Sequence, residues 1–172
     1  MHMDIEEIVT SLRQGPSMVE GVVGGAPRGF ETWREGEGSW NCVEVLAHLA
    51  DGEITDWMPR VELILSGGGR FVPFDREAGF ERYSGWAASA LVKEFARLRY
   101  ANLQRLAALD VGPAQLALTG QHPEFGTVTL GQLLATWATH DMAHVAQLSR
   151  ILVKGFGRDV GPWAKYFSLL RS

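Results

Sequence analysis

The fold is decided by residues 129–154, which read TLGQLLATWATHDMAHVAQLSRILVK. Thr129 and Gln132 have the spacing of a capping box, so a helix is predicted to begin there. At about 100° per residue, one narrow face of this helix collects mainly large apolar side chains. Such a face must be buried against other helices. Its members are Leu133, Trp137, His140, His144, Leu148 and Ile151.

Three further segments carry helical periodicity, and nothing alternates long enough to compete as a sheet. Four helices that each have one apolar face bury those faces best as a bundle. The sequence therefore predicts an all-α, mostly antiparallel four-helix bundle, forming a single domain over residues 1–172. The other three segments are residues 4–13 with a short continuation over 17–23 after Gly15-Pro16, residues 41–65, and residues 84–109.

The second helix has the clearest beginning. Asn41 is a favourable N-cap, and Glu44 can reach back to its amide in a second capping box. Pro59 is predicted to kink this helix, because proline removes one backbone hydrogen bond and clashes with the preceding turn. The expected core residues of the third helix are Trp86, Leu91, Phe95, Leu98, Leu103 and Leu106.

Two connections stand out. Residues 67–83, between the second and third helices, form a loop of about 17 residues, longer than most connections in compact domains. Its three phenylalanines favour packing over disorder, and Phe71 and Phe74 are candidate pocket walls. Residues 115–118 are a candidate extended piece. The chain end, residues 161–172, is expected to dock as a short apolar tail through Trp163, Tyr166, Phe167, Leu169 and Leu170.

Composition and charge exclude several classes of function. With 46% apolar and 21% charged residues, the chain has the balance of a soluble globular protein. A net charge of −4 and the lack of a basic cluster argue against a nucleic-acid partner. No signal peptide or membrane span is expected from the apolar pattern. The one cysteine, Cys42, is compatible with a reducing cytoplasm, which is the expected location.

His140 and His144 lie in the middle of the apolar face of the last helix. Their i, i+4 spacing places one above the other. Buried imidazoles must satisfy their ring nitrogens, and a shared metal ion would satisfy one nitrogen of each. The alternative is ordinary, since core histidines are usually only hydrogen-bonded and this spacing alone is a weak signal.

His48 is a candidate third ligand. It lies two turns into the second helix, from which it can project into the bundle interior. Two ligands from one helix and a third from its neighbour are compatible with a metal site in a bundle. Three neutral histidines would leave a position open, as in catalytic zinc sites. The alternative is a surface histidine paired with Glu44.

Carboxylates near the histidines are candidate hydrogen-bond partners of the imidazoles. Asp141 lies about 100° around the helix from His140, so it cannot easily bind the same ion. It could instead accept an imidazole N–H, including that of His48. Glu53 and Glu44 are similar candidates. For each of them the alternative is a solvated charge on a helix surface.

Three weaker candidates remain. His122, in the loop before the last helix, could line the mouth of the site, although an exposed loop residue is the alternative. His2 lies in a terminus that is expected to fray. Cys42 points away from the face of His48, so it is expected to be a small core thiol, neither ligand nor nucleophile.

Two segments resemble the DinB-like (DinB/YfiT) superfamily. Residues 40–49, WNCVEVLAHL, are similar to the start of the superfamily's second helix, where a Trp and a His frame the metal site. Residues 129–148, with HDMAH followed by Gln147, resemble its fourth-helix segment, and residues 125–129, FGTVT, resemble the approach to that helix. Order, spacing and intervening helices agree across nearly the whole chain.

This resemblance implies a four-helix bundle in which His48, His140 and His144 hold one divalent transition metal ion per chain, zinc or nickel above all. It also implies a homodimer and a small-molecule substrate. The implied reaction is either thiol-dependent S-transferase or isomerase chemistry with a low-molecular-weight thiol, or metal-dependent hydrolysis. Neither the native metal nor the general base is evident from the sequence. The alternative is a non-catalytic metal-binding module that serves stability or a stress response.

Overall fold

The computed structural model describes residues 4–27 and 29–171, so His2 lies outside the described residues. Their elements follow in chain order. The helices are α1 (Ile5–Val23), α2 (Cys42–Thr55), α3 (Trp57–Leu65), α4 (Ala78–Arg82), α5 (Ala88–Ala108), α6 (Pro113–Leu116) and α7 (Leu130–Gly155). Two strands, β1 (Thr119–His122) and β2 (Gly126–Thr129), precede α7, and two 3₁₀ turns, Gly161–Tyr166 and Ser168–Leu170, follow it.

Four long helical units form the bundle: α1, α2 continued by α3, α5, and α7. The predicted fold class is confirmed, including the long connection between the second and third units. Within the described part of the chain, no helix combines the length and apolar character needed to cross a membrane.

The long connection follows from the direction of the helices. Glu53 of α2 binds Arg99, and Glu62 of α3 binds Arg105, so α2–α3 and α5 run in the same direction. Two consecutive parallel helices need a connection that returns along the bundle. Residues 66–87 supply it; they are packed as expected, with Phe71 buried and with α4 as a short helix of their own.

The capping predictions are confirmed. Asn41 and Glu44 form a reciprocal pair of hydrogen bonds at the start of α2, and Thr129 and Gln132 do so at the start of α7. The expected kink is also present. The second helix is interrupted at Asp56, between the end of α2 at Thr55 and the start of α3 at Trp57, and this break lies within one turn before Pro59.

The prediction that α1 ends at Gly15-Pro16 is wrong, because α1 continues through Pro16 to Val23. Pro16 has no N–H for the carbonyl of Leu12, four residues earlier. That carbonyl instead accepts a hydrogen bond of 2.9 Å from Nη1 of the buried Arg99. A tertiary contact therefore replaces the helical hydrogen bond that proline removes.

Two expectations around residues 110–130 are also wrong. Residues 115–118 are not extended, since α6 covers the first two and Ala117 is its αR C-cap. A sheet is also present, in the form of an antiparallel hairpin of β1 and β2. Four-residue strands are too short to give a clear alternation. The hairpin is held by tertiary packing, since a Cβ on Gly120 would lie 2.5 Å from the ring of Phe71.

Two apolar predictions need correction. Trp86 precedes α5 and is 43% exposed, with its ring edge on Tyr83, so it is not a core residue. The chain end docks only in part: the side chain of Leu170 approaches Gly157, whereas Trp163 and Tyr166 are 64% and 69% exposed. A 3₁₀ turn brings every third residue to one side, so it cannot bury all five apolar side chains.

Candidate metal centre

Three imidazole rings from two helices meet in the bundle. Nε2 of His140 lies 2.9 Å from Nε2 of His48 and 3.1 Å from Nε2 of His144. One ligand atom from each histidine lies within 4.8 Å of the others. The predicted convergence of these rings is confirmed. His48 and His144 are buried, and His140 is half-buried.

The outer nitrogens of two rings fix the orientation of the inner ones. Nδ1 of His48 lies 3.0 Å from the backbone carbonyl of Arg76, and Nδ1 of His144 lies 2.8 Å from Oε1 of Gln147. Both oxygens are acceptors, so each Nδ1 carries the proton and donates it. The two Nε2 atoms therefore present lone pairs to the centre of the cluster.

His140 is the third ring of the cluster, and its two nitrogens cannot both be satisfied by hydrogen bonds. Its Nδ1 is buried and has no hydrogen-bond partner in the described part of the chain. A proton on Nε2 of His140 could serve one neighbouring lone pair well but not both, and a proton on Nδ1 would leave three lone pairs facing one another. A single cation between the Nε2 atoms would satisfy all three.

The donor set also fits a metal ion in distance and charge. A tetrahedral zinc site with N ligands separates those nitrogens by about 3.3 Å, close to the 2.9 and 3.1 Å that separate Nε2 of His140 from the other two Nε2 atoms. Burial lowers the pKa of His48 to about 4, with the charge of His144 as the next cause. Burial and the two neighbouring histidines lower the pKa of His140 to about 2. At neutral pH these rings are therefore in the neutral form that binds metals.

Aromatic side chains surround the histidines. The indole of Trp40 lies 5.0 Å from the ring of His48 and stacks over His144 at 6.4 Å, measured between ring centroids. The ring of Phe74 is 5.3 Å from that of His48, which confirms Phe74 as a neighbour of the site. These rings give the site apolar walls.

Trp57 is a neighbour of the site that sequence reasoning missed. Its indole meets His140 edge-on at 5.1 Å and stacks on Trp137 at 5.8 Å. Trp57 directly follows the break between α2 and α3, and the periodicity of the helix predicts only that it is buried. A shallow, open depression of about 470 Å³ on the surface of α7 is bordered by His140.

The predicted role of Asp141 and Glu53 as partners of the imidazoles is wrong. Both carboxylates bind Arg99 in the core: Nη2 of Arg99 lies 2.7 Å from Glu53 and 2.9 Å from Asp141. Glu53 also accepts hydrogen bonds from Nε1 of Trp137 and from the side chain of Asn102. A buried arginine outcompetes a neutral imidazole for a carboxylate because the pair gains a full charge interaction.

Arg99 was missed because one charged residue within a polar stretch of α5 looks like a solvated side chain. It is 1% exposed, and its two carboxylate partners raise its pKa despite its burial. The carboxylates come from α2 and α7, so only the folded bundle shows why this arginine is buried.

The remaining candidates lie outside the histidine cluster. Glu44 caps α2 and binds Arg34, so it is not a partner of His48. Phe71 is buried against Gly120 and His122. His122 in turn stacks on Phe125 and accepts backbone N–H bonds through Nδ1, so neither Phe71 nor His122 lines the site. The predictions for these three residues are wrong.

Cys42 is a buried core thiol, as expected. Burial, with a smaller contribution from Glu31, raises its pKa to about 12. A thiol with such a pKa is neither a ligand nor a nucleophile near neutral pH.

Comparison with known proteins agrees with this fold. The model of the DinB superfamily matches residues 11–148. The chain belongs to the DinB superfamily. A protein from Oceanobacillus iheyensis, named as a putative metal-dependent hydrolase, is 25% identical over 118 residues, which cover 66% of each chain. This DinB chain thus spans just under two thirds of that relative's length.

A solved structure shares the bundle. It is YfiT from Bacillus subtilis, described as a probable metal-dependent hydrolase with an unusual four-helix bundle topology. The TM-score is 0.70 at 22% sequence identity, over 86% of this chain and 89% of that one. At this identity the likeness shows the fold.

Proposed function

We propose that this DinB protein binds one divalent transition metal ion through His48, His140 and His144 and is a metal-dependent hydrolase of a small molecule. The observation that carries the proposal is the convergence of three Nε2 atoms. Two of them, those of His48 and His144, are unprotonated because the Nδ1 atom of each ring carries the proton and donates it to an oxygen. The names of the two relatives, both metal-dependent hydrolases in their descriptions, support the type of reaction.

A divalent ion at this centre would act as a Lewis acid and lower the pKa of a bound water or thiol toward neutrality. The chain's own contribution is to hold the rings and to shape their surroundings. Arg76 and Gln147 fix the ring orientations through their oxygens. Trp40 and Phe74 exclude water from one side of His48.

No side chain of the chain is evident as the general base among the described residues. Glu53 and Asp141 are tied to Arg99, and Asp51 is paired with Arg82 at 2.6 Å. Hydrolysis and thiol transfer would both use the metal ion and its three histidine ligands. The expected thiol-dependent transferase activity is therefore tested together with hydrolysis. Zinc and nickel are the proposed ions, since imidazole suits both.

Metal analysis of the purified protein, reloaded with zinc or nickel and desalted, is the first test. We expect about one ion per chain in the wild type and a loss of most of it in His140→Ala, because three ligands give a site that two do not. His122→Ala is the matched control, since it removes a histidine outside the cluster and should keep the ion. Equal metal content in wild type and His140→Ala would refute the proposed site.

Activity is tested on the metal-loaded protein with one panel of esters and amides and another of low-molecular-weight thiols with electrophiles. Turnover in the first panel that chelation removes supports the hydrolase. Metal-dependent turnover in the second panel alone would replace it by a transferase. Failure of both panels would favour the non-catalytic metal-binding module. A homodimer, a cytoplasmic location and a single domain over residues 1–172 stay predictions.

A further inference from the structure

We infer that Arg76 is a substrate-binding residue at this site and that the substrate carries a carboxylate on an apolar body. This inference rests on the proposed function and adds the class of substrate. It depends on where the guanidinium of Arg76 lies, on what it is paired with, and on the charge that a metal ion would bring to the same place.

Arg76 is attached to the rim of the histidine cluster. Its backbone carbonyl accepts the hydrogen bond of His48, so the residue is fixed beside the site by its main chain. Its guanidinium lies 5.3 Å from the ring centroid of Trp40, and that ring contacts both His48 and His144. The guanidinium is thus one aromatic ring away from two of the three proposed ligands.

Arg76 has no carboxylate partner among residues 4–27 and 29–171. The ion pairs of the other arginines near the site are complete: Arg82 binds Asp51, and Arg99 binds Glu53 and Asp141. Arg76 is itself exposed, and its planar guanidinium rests on an aromatic face, which leaves its N–H groups available to a ligand.

The charge balance explains why an anion is needed. A divalent ion and Arg76 bring three positive charges, and the three histidines bring none. The Arg99 network supplies one net negative charge, because two carboxylates share one guanidinium. A ligand with a carboxylate reduces the excess positive charge and can bind an arginine through two parallel hydrogen bonds.

The aromatic side chains around the site indicate that the rest of the ligand is apolar. Trp40, Phe74 and the edge-on ring of Phe80, 5.1 Å from Trp40, are aromatic. They offer apolar and stacking contacts and no further cation. One arginine suits a carboxylate better than a phosphate, which usually gathers several positive or N–H groups.

The test measures how two nearly identical ligands bind to the cobalt-loaded protein. We use 3-mercaptopropionate and its neutral amide, 3-mercaptopropionamide, and follow the visible absorption of cobalt. Both probes have the same thiol, so the ratio of their affinities reports on the carboxylate. Any contact of the carboxylate with the metal itself persists in a variant of Arg76 and cancels when the ratios are compared.

We expect Arg76→Gln to reduce the preference for the carboxylate by about tenfold to a hundredfold, the usual range for a hydrogen bond to a charged group. Arg76→Lys should keep part of the preference. Arg70→Gln is the matched control, because Arg70 lies in the same connection but pairs through its backbone with Gln121 in β1. It should keep the wild-type ratio.

Three results would count against the inference or against the proposed function on which it rests, and the measurements distinguish them. An equal ratio in wild type and Arg76→Gln would overturn the substrate-binding role while the metal site stands. Loss of cobalt from Arg76→Gln would also overturn it, because the side chain would then support the metal site. A wild type that binds no cobalt would refute the proposed function instead.

Discussion

Two polar clusters lie in the interior of this bundle, and they differ in how completely they are satisfied. The Arg99 network joins α1, α2, α5 and α7, and its charges and donors find partners within the protein. The histidine cluster joins only α2 and α7, and it leaves Nδ1 of His140 without a partner in the described residues. A closed cluster of this kind supports the fold, whereas an open one has capacity for a ligand.

The position of the Arg99 network strengthens this contrast. The apolar residues of the core fall into two clusters, one at each end of the bundle. Along α2, α5 and α7, the polar residues Glu53, Arg99 and Asp141 come between the members of the two clusters. The network is therefore a polar layer across the middle of the core, and it is expected to set the register of the helices that carry His48 and His140.

The largest expected effect is the loss of Arg99. Arg99→Ala should lower the free energy of unfolding by about 3–5 kcal/mol, because it leaves the two buried carboxylates of Glu53 and Asp141 without their compensating positive charge. Chemical denaturation with and without metal measures it. Arg97→Ala is the control, since Arg97 pairs with Glu94 on the surface of the same helix, and a change of equal size there would contradict the distinction.

The second prediction concerns the open cluster. His140→Ala should lower the unfolding free energy of the metal-free protein by only about 1 kcal/mol, because the loss of its hydrogen bond to a neighbouring imidazole is partly offset by the removal of an unsatisfied buried nitrogen. Zinc at about a hundred times its Kd should stabilise the wild type by about 2.7 kcal/mol. Thermal melts with and without zinc check this, and equal stabilisation of His140→Ala would show that the ion binds elsewhere.

The third prediction concerns the contact of α1 with the Arg99 network. A Cβ on Gly15 would collide with the carboxylate of Asp141 and lie 3.0 Å from Nη1 of Arg99. Gly15→Ala should therefore destabilise the protein by about 1–3 kcal/mol. Gly21→Ala is the matched control on the same helix, because nothing lies within 4 Å of its Cβ.

Gly21→Ala is expected to be neutral or to stabilise by about 0.5–1 kcal/mol, since alanine is the better helix former. Urea denaturation of both variants gives the comparison. If Gly15→Ala also stabilised the protein, α1 would not be held against the network as the structure shows.

The histidine cluster was easier to predict from the sequence than the Arg99 network. His48, His140 and His144 stand at positions where helical periodicity puts apolar side chains, so each was conspicuous. Glu53, Asp141 and Arg99 are charged residues in helices, for which solvent is the usual environment. Their burial depends on pairing across three helices, and no local pattern in one helix records the charge on another.

The same reason separates the correct from the incorrect parts of the fold. Caps and kinks are local, and those at Asn41, Thr129 and Pro59 were predictable. The continuation of α1 through Pro16 depends on Arg99, and the β1–β2 hairpin depends on Phe71. Both are tertiary effects that override the local signal.

The smallest expected effect concerns Cys42, a buried polar group that belongs to neither cluster. Its pKa is raised from 9.0 to about 12 in the folded protein, so the folded state keeps a proton that the unfolded state loses above pH 9. The stability from this thiol is complete below pH 9 and is lost as the pH rises toward 12. At pH 10 the loss should be about 1.4 kcal/mol relative to pH 8. Cys42→Ala should lack this component, which denaturation at both pH values can measure, and an identical pH dependence in the two proteins would contradict it.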